Sequence, residues 1–162
     1  MKKFIVSTVI LLALGVCAFA QPRSAGLRFG FTSTEFQYQH FFGYTSFLEV
    51  DLGVDRVGDD GFKASATYNW EFAHPSWSFG AWTWYMGPGA TIGYVCAKTK
   101  MDPTPGFMIG GSLQLGCECE FDFPIAISAD VRPQFGYQFR EGTFYDAGLL
   151  GLIPTLSVKY KF

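Results

Sequence analysis

Apolar and polar residues alternate along most of the chain, and this period of two predicts β-strands. In "FKASATYNWEF" the apolar side chains fall on one face and the polar ones on the other, and the same holds for "GFMIGGSLQLGCECEF" and "IAISADVRPQFGYQF". Turn signals such as "GYTS", "RVGDDG" and "HPSW" separate these stretches. We therefore predict eight strands, at 25–32, 34–42, 47–56, 62–73, 77–96, 106–121, 124–139 and 147–162.

Three prolines fall inside the predicted strands: Pro88, Pro133 and Pro154. Proline has no N–H to donate to a β-ladder, and in sheets it is confined to edges, strand starts and bulges. We predict a bulge at each of the three positions.

Eight long strands of alternating character favour a closed antiparallel barrel, which comes in two forms. A soluble, lipocalin-like barrel has an apolar lumen, whereas a membrane barrel is apolar outside and polar inside. An eight-stranded barrel has a lumen just wide enough for side chains to fill. The chain is 19% aromatic, which is too many rings for that space. The sequence therefore predicts an all-β, eight-stranded, antiparallel up-and-down transmembrane β-barrel with a polar, filled lumen.

The inward face carries charges of both signs, which predicts a network of ion pairs and hydrogen bonds. The predicted members of this lumen network are Arg28, Glu49, Asp51, Lys63, Glu71, Gln114, Glu118, Glu120, Asp130, Arg132, Lys159 and Lys161.

The fifth predicted strand carries aromatic residues near both ends of its apolar face. Trp82 and Trp84 lie near one end and Tyr94 near the other. Twelve residues of strand span about 40 Å, or about 30 Å along the membrane normal after a tilt near 40°. This separation is close to that of the two aromatic girdles of a membrane barrel. We predict that Trp82, Trp84 and Tyr94 belong to those girdles.

The first twenty residues have the pattern of an export signal. Lys2 and Lys3 precede the apolar stretch "FIVSTVILLALGV", and "AFA" before Gln21 is a small-x-small cleavage site. We predict a signal peptide over 1–20, cleavage between Ala20 and Gln21, and one barrel domain over 21–162. Loss of the two lysines takes the formal charge from −2 to −4, and this mild acidity argues against binding of nucleic acid.

Few residues indicate a metal-binding, cofactor-binding or catalytic site. Cys96, Cys117 and Cys119 remain after cleavage, and we interpret them as small apolar residues rather than a zinc site. The two histidines, His40 and His74, both lie next to predicted turns. No glycine-rich phosphate loop or metal-spaced Cys/His cluster is present, so we predict neither a cofactor nor a metal.

The stretches "GLRFGFTSTEFQYQHFF", "ATYNWEF", "WYMGPGATIGY", "DVRPQF" and "SVKYKF" resemble those of small OmpA/OmpX-type outer-membrane β-barrels, in particular a poorly characterised Gram-negative group. The resemblance implies an outer-membrane location, periplasmic termini and short outer loops. It also implies that the C-terminal stretch of alternating apolar and polar residues contains an insertion signal that the barrel-assembly machinery recognises. The residues of this signal are Leu156, Val158, Tyr160 and Phe162.

Three functions stay open on this reading. The first is a non-enzymatic, monomeric membrane barrel with a role in envelope integrity or with small surface loops. The second is an outer-membrane lipid-modifying enzyme, similar to a lipid A deacylase or acyltransferase, which would need a nucleophile and a base within hydrogen-bond reach. The third is a soluble lipocalin-like carrier, which the crowding of aromatic rings disfavours. We expect the first.

Overall fold

The computed structural model describes residues 23–31, 33–55, 61–96, 105–140, 142–146 and 151–162. The predicted signal peptide 1–20 and its cleavage site at Ala20 and Gln21 lie outside them. Nearly every described residue is in a strand or a tight turn. The strands are β1 (Arg23–Phe29), β2 (Ser33–Phe41), β3 (Ser46–Asp55), β4 (Gly61–Ala73), β5 (Ala81–Cys96), β6 (Pro105–Glu120), β7 (Ile125–Val131), β8 (Gln134–Gln138), β9 (Thr143–Asp146) and β10 (Thr155–Lys161).

The strands form one closed antiparallel barrel, as the alternation predicts. From β1 to β6 each strand pairs with the next along the chain, β6 pairs with both β7 and β8, β8 pairs with β9, and β10 pairs with β7. β1 closes the barrel on β10, from Ser24 opposite Lys161 to Phe29 opposite Leu156. β7 and β8 together form the seventh wall strand, and β9 and β10 form the eighth. The prediction of an eight-stranded, all-antiparallel barrel is confirmed.

The expected bulges at Pro88 and Pro133 are wrong. The β5–β6 pairing keeps one register through Pro88, from Ala81 opposite Glu120 to Cys96 opposite Pro105. β6 likewise keeps one register past Pro133. Leu115 pairs with Val131, and Ser112, three residues earlier in β6, pairs with Gln134, three residues later in the neighbouring strand. A proline removes one N–H from the ladder, and the flanking bonds hold the register here.

The third proline, Pro154, is not a bulge either, because it immediately precedes β10. Such a strand start tolerates the missing N–H. A register shift does occur where no proline stands, between Glu71 and Ala73 of β4.

The last wall strand also differs from the predicted strand 147–162. Asp146 of β9 pairs with Phe135, and Thr155 of β10 pairs with Asp130. Asp146 and Thr155 are nine positions apart in the chain, whereas their partners are only five positions apart on the neighbouring strand. The described residues 151–154 lie outside the strand pairings, and the preceding turn, expected between the strands predicted at 124–139 and 147–162, is shorter because 143–146 form β9.

The barrel has two distinct ends. The turns 42–45, 74–80 and 121–124 lie at the same end as Arg23 and Phe162, which we call the terminal end. The β1–β2 and β8–β9 turns lie at the other end, which we call the loop end. The lumen between them is the feature of the fold that carries chemistry.

Candidate functional site: the ion-filled lumen

The interior of the barrel is charged and polar, whereas its outer surface is apolar. The buried charged side chains of the described residues comprise five cations and five anions: Arg23, Arg28, Lys63, Arg132 and Lys159, with Glu35, Glu49, Asp51, Glu118 and Asp130. Arg23 shares the outward parity of Leu27 and Phe29 in β1, so four of the cations and all five anions lie on the inward face. Burial of so many charges is tolerable only when each is paired and hydrogen-bonded.

Arg28 of β1 lies at the centre of this network and is fully buried. Its Nη2 donates to Glu49 Oε1 at 2.7 Å and to Asp130 Oδ2 at 2.8 Å. Its Nη1 lies 3.1 Å from Asp51 Oδ2 and 3.6 Å from Glu35 Oε2. A planar guanidinium presents several donors at fixed angles, which suits a site enclosed by carboxylates. Arg28 thus links β1 to β2, β3 and β7.

Arg132 forms a second bridge, from the junction of β7 and β8 to the other side of the lumen. Its Nη1 donates to Asp51 and to Ser65 Oγ, the latter at 3.0 Å, and its Nη2 donates to Glu35. Lys63 supports the same region, because its Nζ donates to Gln134 Oε1 at 2.9 Å. Glu35 and Asp51 therefore each contact both arginines.

Side-chain amides extend the network to the remaining strands. Glu49 accepts from Gln114 Nε2 at 2.7 Å and from Gln39 Nε2 at 2.9 Å. Asn69 Nδ2 donates to Gln114 Oε1 at 3.1 Å, and Ser24 Oγ donates to Gln39 Oε1 at 2.8 Å. Gln114 lies on β6 and Glu49 on β3, so this contact also crosses the lumen.

The other residues of the predicted lumen set lie toward the terminal end. Lys159 pairs with Glu118, and both are buried. Lys161 pairs with Glu120 at the rim, where both side chains are about 30% exposed. Glu71 is half-buried and lies 3.8 Å from exposed His74. Glu71, Glu120 and Lys161 therefore sit at the mouth of the lumen rather than in the central cluster.

Apolar side chains flank the network at both ends, which the sequence reading missed. Phe47 and Tyr85 are almost fully buried at the terminal end, with ring centroids 5.2 Å apart in an edge-on arrangement. Val95 and Met108 are buried together at the loop end. The inward orientation of Phe47 could have been predicted from the sequence, because Phe47 lies two residues before Glu49 in the same strand and therefore shares its inward face. These residues place an apolar layer on each side of the central cluster around Arg28 and Arg132.

The outer face of the barrel is covered by large apolar side chains. Tyr94 of the predicted girdle is 49% exposed near the loop end. Trp82 and Trp84 are partly covered at the terminal end, where Trp82 Nε1 donates to the carbonyl of Phe79. Other exposed apolar residues of this face are Leu27, Phe29, Phe36, Leu52, Phe62, Trp70, Met86, Ile92, Phe107, Ile109, Leu113, Leu115, Ile127, Phe135 and Tyr137.

The alternating C-terminal end contributes to this outer face. Leu156, Val158, Tyr160 and Phe162 are 58%, 47%, 53% and 60% exposed, respectively. The backbone of Phe162 exchanges two hydrogen bonds with Arg23, of 2.9 and 3.2 Å. The last residue therefore completes the β1–β10 seam.

Within the described residues, no group of His, Cys, Asp and Glu is arranged to hold a metal ion. Cys117 and Cys119 are free thiols, and the side chain of Cys96 lies outside the described part of the chain. The described part of the chain also contains no helix with the length and apolar character needed to cross a membrane.

Comparison with solved structures finds the N-terminal β-barrel domain of OprF from Pseudomonas aeruginosa. The two chains superpose with a TM-score of 0.60 at 14% sequence identity, over 87% of this chain and 96% of that one. No protein-family model matches the sequence, and no curated protein matches it. The likeness is therefore one of fold: this chain has an outer-membrane-type β-barrel.

Proposed function

We propose that the mature chain is an integral outer-membrane barrel with a sealed lumen and a non-enzymatic role in envelope integrity. One observation carries the proposal: the charged side chains are inside and the large apolar ones are outside. A soluble protein rarely exposes large contiguous apolar patches. A barrel in lipid requires that surface, because its apolar band faces hydrocarbon.

The sealed lumen follows from the ion pairs that cross it. Arg28 and Arg132 each contact carboxylates on several strands, and Gln114 reaches Glu49 from the opposite wall. Phe47 and Tyr85 fill the terminal end. Steady passage of ions would require these contacts to break together, so the barrel is a plug rather than a pore.

The partners that fit this role are outer-membrane lipid and, during insertion, the barrel-assembly machinery. The apolar belt suits the lipid, and the exposed C-terminal set ending at Phe162 suits recognition during assembly. The barrel closes on itself through β1 and β10, so its wall is complete in a monomer. Its mild acidity offers no basic surface for nucleic acid.

Cell fractionation and planar-bilayer recording test the two parts of the proposal. The full chain, expressed in a Gram-negative host, is expected in the outer-membrane fraction, shortened by its signal peptide. The purified and refolded barrel is expected to insert into a planar bilayer without steady conductance. Recovery from the soluble periplasmic fraction would refute the membrane location, whereas stable open channels would refute the sealed lumen alone.

The proposed non-enzymatic role is tested separately, by analysis of the acyl chains of lipid A. His40 packs edge-on against Phe42, and exposed His74 faces Glu71, both at the terminal end. With the termini in the periplasm, both histidines lie far from the outer leaflet, where lipid A resides. Mass spectrometry of lipid A is expected to give the same profile with and without expression of the chain. A gained or lost acyl chain would identify a lipid-modifying enzyme instead.

A further inference from the structure

The outer wall of the barrel contains an apolar groove of about 420 Å³. It crosses β4 to β7 and Pro133, and it is bordered on one side by Leu152, which precedes β10. The lining residues are Trp70, Met86, Gly87, Pro88, Leu113, Gln114, Leu115, Val131, Pro133 and Leu152.

The strand register explains the shape of the groove. Met86, Leu115 and Val131 lie side by side in one outward row across β5, β6 and β7. In the next row Leu113 pairs with Pro88 of β5, and its N–H donates to the carbonyl of Pro133 on the other side. The compact proline rings leave space on both sides of Leu113, which is 56% exposed.

Two larger side chains form the walls of this space. Trp70 pairs with Met86 across β4 and β5 and stands at one side. Leu152 belongs to residues 151–154, which lie outside the strand pairings just before β10, and it borders the groove on another side. The unpredicted break in the last wall strand thus has a structural consequence on the outer surface.

The lining is hydrocarbon, thioether and indole, with no charged side chain among its residues. Gly87 and Gln114 belong to the inward parity, and the Gln114 amide is engaged in the lumen. A phosphate, a sugar or a charged headgroup would find no partner in the groove. The chemistry selects an occupant that is apolar along its length.

We propose that the groove binds an acyl chain of a membrane phospholipid as a retained ligand. This inference rests on the proposed membrane location. The groove opens onto the apolar belt, since Trp70, Met86, Leu113 and Leu152 are 48–56% exposed around it. A chain in the groove contacts protein on several sides and gains dispersion contacts that a chain on a flat wall lacks.

Native mass spectrometry of the reconstituted barrel tests this inference. The full-length mature chain is folded into phosphatidylcholine vesicles, extracted in mild detergent and weighed. Leu113→Phe places a ring in the groove and Leu152→Ala removes one of its walls. Leu52→Phe is the matched control, since Leu52 is an outward leucine of β3 with 45% exposure, away from the groove. The wild type and the control are expected to retain a phospholipid that both groove variants lose.

A fluorescence measurement tests lipid binding in the groove without extraction of the barrel from the vesicles. In a background with Trp77, Trp82 and Trp84 replaced by Phe, Trp70 is the remaining tryptophan. Phosphatidylcholine with brominated chains is expected to quench Trp70 less in Leu113→Phe than in the parent or in Leu52→Phe. Equal quenching, together with equal lipid retention in all variants, would overturn the proposal.

Other outcomes separate this inference from the proposed function. A barrel that inserts into vesicles but retains no lipid refutes the groove site and leaves the membrane location intact. A dimer mass that Leu113→Phe abolishes would mean that a second copy occupies the groove, and refutes the lipid site. A chain that inserts into no vesicle refutes both proposals.

Discussion

Replacement of Arg28 by methionine is expected to destabilise the barrel more than most single substitutions. The side chain is fully buried and lies within 3.6 Å of four carboxylates. Methionine fills part of the space but supplies no charge. The lumen would then hold five buried anions against three buried cations, Lys63, Arg132 and Lys159, among the described residues.

The size of the effect follows from what remains around each carboxylate. Glu35 and Asp51 keep Arg132 as a partner. Glu49 would keep only the amides of Gln39 and Gln114. Asp130 likewise keeps a hydroxyl, because Thr155 Oγ1 lies 3.1 Å from its Oδ1. Removal of one partner from a buried ion pair costs about 3–5 kcal/mol, and we expect Arg28→Met to fall in that range.

The assay is urea unfolding of the barrel in lipid vesicles, followed by the fraction that keeps its folded mobility in cold SDS. Adding Glu49→Gln to Arg28→Met neutralises one of the stranded carboxylates. We expect the double variant to lose less stability than the sum of the single losses, by about 0.5–3 kcal/mol.

Lys161→Met is the control, because Lys161 pairs with Glu120 at the rim of the lumen, where both side chains are about 30% exposed. Loss of such a solvent-exposed pair is expected to cost no more than about 1 kcal/mol. An Arg28→Met variant as stable as the control, or strictly additive single and double variants, would refute the idea that Arg28 holds the lumen together.

Four other substitutions test separate parts of the fold. Gly43→Ala places a side chain at a φ of 78° in open space, so it is expected to cost about 1–2 kcal/mol in urea unfolding. Gly80→Ala is expected to cost more, because its Cβ would lie 2.6 Å from a cysteine sulfur. Phe47→Ala is expected to cost about 3–5 kcal/mol and to admit transient conductance, unlike outward-facing Phe36→Ala. Phe162→Ser is expected to reduce the amount assembled in the outer membrane, measured by fractionation, without changing expression. An unchanged amount would contradict the insertion role.

The sequence alone was sufficient for the architecture and for the direction of most side chains. The alternation of inward and outward residues is unchanged by the break between β7 and β8. Ile127 and Val131 before Pro133, and Phe135 and Tyr137 after it, are all on the outward face. Each of the eight wall strands pairs with its neighbours along the chain, so the order of the wall strands follows from their sequence order once the barrel is recognised.

Three features depend on contacts that the sequence does not display locally. The bulge between Glu71 and Ala73 follows no proline or glycine. The unequal spacing of the β9 and β10 pairings becomes visible only when both ends of the last wall strand are paired with β7 and β8. The carboxylates that pair with Arg28 and Arg132 are determined by which side chains meet across the lumen. Strand parity places these residues on the inward face but does not determine their partners.

A closed barrel with its apolar face in the membrane is best tested by electrophoresis of the outer-membrane fraction in SDS, with and without boiling. A closed barrel resists cold SDS, so we expect the apparent mass of the protein in the outer-membrane fraction to change on boiling. A single band at the same apparent mass before and after boiling, recovered from the soluble fraction, would refute the barrel in the membrane and would mean that the apolar face does not lie in lipid.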